Sequence, residues 1–154
     1  MQKTVLYISN WVEKVRQVIK INSEMLLNMK LFGDITHVVC VDCFTANGTI
    51  FFLTSTGNAS KAIGSGGKNI KILRNRLNKN VKVFEKNTDS CELAKNYLYP
   101  TQPKKCEQVE NTLELEFNSS RKRRYLLDNQ QRGLKELKAV IARYHPSIKD
   151  IRIL

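Results

Sequence analysis

Apolar positions in this chain follow two periods, and the points where the period changes predict the elements. Residues 1–20, MQKTVLYISNWVEKVRQVIK, space Trp11, Val12, Val15, Val18 and Ile19 as on a helix, and they stand apart from the rest of the chain as an N-terminal helical extension. Ser23 is placed to cap a helix from Glu24 to Phe32, whose Met25, Leu26, Met29 and Phe32 form an apolar face and which Gly33 ends. Strand-forming residues then run over Thr36–Phe44 and Thr49–Thr54, and the Asn47-Gly48 pair between them favours a tight hairpin. A short helix begins at Asn58 or Ser60 and runs to Ile63. GSGG interrupts it, KNIKILRNRLNKN resumes the helical period with Ile70, Leu73 and Leu77, and VKVFE alternates as a strand.

The same order of elements then starts again. Asp89 caps a helix to Leu98, stopped by the stretch Pro100–Pro103, and two strands, Lys105–Val109 and Thr112–Phe117, flank Glu110-Asn111. Helix Ser120–Leu127, turn Asp128–Gln131, helix Arg132–Tyr144 and strand Asp150–Leu154 close the second copy. The expected class is α+β in two tandem copies, residues 21–87 and 88–154, with the boundary near Lys86–Asp89.

Composition narrows the partners. With 154 residues and 42% apolar content the chain can fold around a core, and its longest apolar run, Ile50–Leu53, is far short of the roughly 20 residues of a membrane span. Met1–Asn10 lacks the marks of a secretory signal, so a cytoplasmic protein is expected. The formal charge of +12 points to a polyanion, nucleic acid ahead of an anionic membrane face. The four cysteines are read as thiols, and Cys40 and Cys43, within the strand-like THVVCVDCF, should point to opposite faces and pack rather than bind metal. Neither His37, expected within a strand, nor His145, at a helix end, has a nucleophile or carboxylate at a catalytic spacing. No enzyme, metal or cofactor is expected.

The chemistry concentrates at AIGSGGKNIKILRNRL. Gly64 and Gly67 bound a four-residue turn between helices, and glycine both tolerates positive φ and permits another backbone to approach. The following helix offers free N–H groups and the positive end of its dipole, which favours phosphate. Lys61, Lys68, Lys71, Arg74, Arg76, Lys79 and Lys82 surround the turn, with Glu85 the only acid nearby. No Gly-Lys-Ser or Gly-Lys-Thr follows, so the loop is not a nucleotide P-loop.

The segment IGSGGKNIK, between a hairpin and a helix that leads into a strand, resembles the GxxG signature of the KH domain in its type II arrangement. Two such copies in so short a chain look like the archaeal NusA-like transcription factors, and the resemblance extends from about residue 20 to Leu154, weaker in the second copy. It implies single-stranded RNA as ligand and a role in transcription elongation or termination. It places the RNA site at Ile63, Gly64, Ser65, Gly66, Gly67, Lys68, Asn69, Lys71 and Arg74, with Ile70, Ile72 or Leu73 and Val83 lining a groove for about four nucleotides. Two departures stand out: Ser65 occupies the loop position where the family usually has a basic residue, and Asp128, Asn129, Gln130 and Gln131 occupy the second copy's loop. Arg132 and Lys135 are the second copy's candidate RNA contacts, within a cluster that also holds Arg121, Lys122, Arg123, Arg124, Lys138 and Arg143. RNA polymerase and the ribosome are the alternative larger partners. The rival reading is a ribonucleoprotein component that docks its basic faces on folded RNA.

Overall fold

A computed structural model describes residues 22–154; the extension at residues 1–20, with Trp11, lies outside the described residues. The first helix, α1 (Ser23–Thr36), is capped by Asn22, whose Oδ1 accepts the Met25 N–H at 2.8 Å, one residue earlier than Ser23. It also runs past Gly33, because the last turn is closed differently. The His37 N–H donates to the Gly33 carbonyl at 2.9 Å with His37 left-handed, and the Val38 N–H donates to the Thr36 hydroxyl at 3.1 Å. His37 is therefore a helix cap and not a strand residue, and Leu26, expected on the apolar face, is exposed.

Strand β1 (Asp42–Ala46) starts later than the β-branched run suggests, and pairs antiparallel with β2 (Thr49–Thr54) around Asn47 and Gly48, both at positive φ. Next come α2 (Ala59–Ile63), a single tight turn at Ser65–Gly67, α3 (Lys68–Leu77) and β3 (Asn80–Glu85), which returns parallel to β2. The second round repeats this: α4 (Ser90–Leu98), β4 (Lys105–Val109), β5 (Thr112–Glu116), α5 (Ser120–Tyr144) and β6 (Asp150–Ile153). β4 and β5 are antiparallel, and β5 and β6 parallel. The architecture is α+β with two three-stranded sheets, and in both the second strand is central.

The two sheets are covered differently. β5 alternates, with Leu113 and Leu115 inside and Glu114 and Glu116 outward. Every residue of β2 is buried. Ile50 and Phe52 pack under α1 and α3 with Phe32 and Leu73, whereas Phe51 and Leu53 pack with Tyr97, Leu137 and Val140 of the second round. The first sheet is thus a middle layer, and its far face belongs to the core of the other half. Asp42 reinforces this junction: Arg143 donates to it from Nε and Nη2 at 2.9 and 3.0 Å, and the Tyr144 hydroxyl donates as well.

Cys40 lies in the link before β1, and both Cys40 and Cys43 are buried in the same core rather than on opposite faces of a strand. Burial pushes each thiol up to about 12, so neither is a ready nucleophile.

Candidate nucleic-acid interface

The glycine loop takes its shape from three left-handed or extended positive-φ positions. Gly64 ends α2 at φ 78°, ψ 168°, a region closed to other residues, and a Cβ there would lie 3.0 Å from the Asn69 Nδ2. Gly66 and Gly67 follow at φ 61° and 73°, and a Cβ on either would meet nothing within 4 Å. One face of the loop is therefore packed and the other open. Gly67 caps α3 with no side-chain acceptor and no acid in the first turn; the Lys68 N–H donates to the Ser65 carbonyl, and beyond it the positive end of the α3 dipole faces the loop with no side chain capping it. Ser65, Gly66, Lys68 and Lys71 are exposed around this opening.

Beside the loop lies a groove of about 270 Å³ between α2 and β3, lined by Ile63, Val83, Phe84 and, from beyond α4, Tyr99. Of the expected groove residues, Ile63 and Ile70 are partly buried and Ile72 is exposed, but Leu73 is completely buried and belongs to the core. Arg74 points elsewhere: together with Arg132 it lines a cleft of about 500 Å³ at the junction of the halves. Lys135 sits at a neighbouring hollow with Asn47 and Gln130.

That cleft is tightly wired. Glu136, buried, accepts from Thr49 at 2.7 Å, Tyr97 at 3.0 Å and Arg132 at 3.2 Å, and Arg132 also donates to Thr49. Lys82 stands with its ammonium 3.7 Å from the Tyr97 ring centre and 3.3 Å from the Tyr125 hydroxyl. Burial lowers its pKa to about 8, with Glu136 partly opposing. Tyr99 and Tyr125, absent from the sequence-based site, are 71% and 51% exposed in the walls. Tyrosines in a basic helix and beside a proline look like surface residues in sequence, and only the fold gathers them.

In the second copy the turn falls where expected, at Asp128–Gln131, and Asn129, Gln130 and Gln131 are left-handed at φ 51°, 58° and 61° without being glycine. Of the basic cluster, Arg132, Lys138 and Arg143 are committed to Glu136, Asp150 and Asp42, whereas Arg121, Arg123, Arg124 and Lys135 remain exposed. His145 ends α5, and its Nε2 is buried without a partner among the described residues. Among those residues no group of three or more His, Cys, Asp or Glu side chains could hold a metal ion.

A 75-residue stretch is 35% identical to a probable transcription termination protein NusA of Halococcus morrhuae, covering 49% of this chain and 53% of the relative. The chain is similar to archaeal NusA-type transcription termination proteins. NusA proteins of the same description from Methanocaldococcus jannaschii and Methanococcus vannielii are 26% and 29% identical over 84 and 82 residues. These matches cover 54% and 53% of this chain, and 46% and 47% of the relatives. The chain thus matches about half the length of each NusA relative. The solved crystal structure of APE1850 superposes with a TM-score of 0.72 at 25% identity, over 87% of this chain and 100% of that one. No protein-family model matches. Two three-stranded sheets, the first with α2 and α3 and the second with the α5 helix broken at Asp128–Gln131 between its parallel strands, are compatible with KH-type domains.

Proposed function

We propose that the protein binds single-stranded RNA with little sequence selectivity and acts as a NusA-like regulator of transcription elongation or termination. On this reading it is a non-enzymatic cytoplasmic protein built from two tandem type II KH domains, residues 21–87 and 88–154. The observation that carries the reading is the open glycine loop leading into the start of α3, which no side chain caps, with a half-apolar groove alongside. Phosphates pass over Gly66 and Gly67 and meet the positive end of the α3 dipole, Lys68 and Lys71 supply charge, and bases enter the groove beside Ile63 and Val83. The second copy has no glycine loop and contributes charge rather than a clamp. No helix among the described residues is long and apolar enough to cross a membrane.

The test is fluorescence anisotropy of a short single-stranded RNA against its duplex, for wild type and for Ser65→Asp with Gly66→Asp. Gly66 is left-handed with open space around it, a setting aspartate tolerates, so the double variant should stay folded by circular dichroism. The expected result is preference for the single strand and loss of most binding in the variant. Unchanged binding would leave only diffuse attraction by the +12 charge. The docking reading, favoured by the exposed Arg121, Arg123 and Arg124, would then take over, with RNA polymerase or the ribosome as the assembly to probe.

A further inference from the structure

The cleft between the halves has more order than a solvent-filled seam requires. Its volume of about 500 Å³ falls in the range of ligand pockets, about 300–1,000 Å³. Lys82 and Tyr99 line both this cleft and the groove beside the glycine loop, so the two spaces adjoin. Tyr125 offers a half-exposed ring held by a hydrogen bond from the Lys82 ammonium, and that ammonium sits where burial disfavours it. Of the two carboxylates in the wall, Glu136 is already satisfied by Thr49, Tyr97 and Arg132. Arg132 nevertheless keeps its side chain 44% exposed. Asp128 would repel a phosphate but can accept a hydrogen bond from a base N–H, which sets the polarity of the site.

We propose that this cleft is a second nucleotide subsite, where Tyr125 stacks on a base of single-stranded RNA leaving the first groove. Arg74 and Arg132 hold the adjoining phosphates, and Asp128 faces the base edge. The proposal rests on the first half being an RNA site, and it explains how the second half contributes without a glycine clamp: side chains replace backbone. Asn129, the first left-handed residue of the strained, non-glycine turn, then forms part of the cleft's rim beside Asp128.

Binding of RNAs of about four and about eight nucleotides separates the two sites, since a single groove holds about four. Wild type should bind the longer RNA more tightly. Tyr125→Leu should lower affinity for the longer RNA about ten-fold, within the range for losing one base–aromatic stack, and leave the shorter unchanged. Tyr125→Phe, which keeps the ring and loses only the hydrogen bond from Lys82, should keep most of the gain with length, and Tyr125→Gln gives the same readout as leucine should that variant fail to fold. The proposal is overturned if wild type shows no gain with length, if Tyr125→Leu keeps the gain, or if Tyr125→Phe loses it. Failure of the first-half reading has a different signature: the Ser65→Asp, Gly66→Asp variant would bind the shorter RNA normally.

Discussion

Gly64 and Gly66 look interchangeable in the sequence, but their backbones are not. Gly64 lies at ψ 168° with positive φ and packs on Asn69, whereas Gly66 lies in the ordinary left-handed region with open space. Gly64→Ala should therefore destabilise the fold by about 1–2 kcal/mol and weaken RNA binding, while Gly66→Asn should stay within about 0.5 kcal/mol of wild type. Urea unfolding of both variants checks this, and equal losses would refute the distinction. The loop's location was legible from glycine spacing and neighbouring lysines. The Tyr125–Lys82 contact was not, because the two residues are 43 apart in sequence.

At the scale of elements, α5 shows what periodicity can and cannot see. The break at Asp128–Gln131 was readable because polar residues interrupt an apolar stripe. Gly133 carried no signal, yet a Cβ there would lie 3.0 Å from the Tyr125 carbonyl oxygen and 3.2 Å from the Leu126 Cα, backbone atoms that cannot swing aside. Alanine normally gains about 1 kcal/mol over glycine inside a helix. Gly133→Ala should instead lose about 1–3 kcal/mol by forcing the two helical segments apart. A thermal melt that rises would refute this. The overlong first strand has the opposite origin: Val38 and Cys40 are buried and Val39 and Val41 exposed, so alternation is present. Ladder pairing begins only at Asp42, apart from the Val41 N–H bond to Leu53, because burial alternation alone does not supply a neighbouring strand.

Across the whole molecule, Asp42 ties the first sheet to the end of α5. Burial alone would raise its pKa, but the hydrogen bonds from Arg143 and Tyr144 and the arginine's charge outweigh that and hold the carboxyl below its usual range. Asp42→Asn should cost about 3 kcal/mol near neutral pH, because it strands a partly buried guanidinium. A carboxyl whose folded pKa is depressed stabilises above its unfolded value and loses that contribution as pH falls through the folded value. The gap between wild type and variant, by urea unfolding, should therefore be constant near neutrality and narrow below the ordinary aspartate value of 3.8. A gap that does not move with pH would mean that the contact is not ionic.

The sequence by itself determined the repeated order of elements, the hairpins, the glycine loop and the net charge of +12, since periodicity, turn chemistry and composition are local properties. What only the tertiary structure decided is the sharing of faces. Alternation in Ile50–Leu53 dictates that Ile50 and Phe52 point one way and Phe51 and Leu53 the other, but not what covers either side. The covering comes from Tyr97, Leu137 and Val140, and the pairing of Asp42 with Arg143 spans 101 residues. Two copies legible one after another thereby become one body, with a cleft that neither copy contains alone.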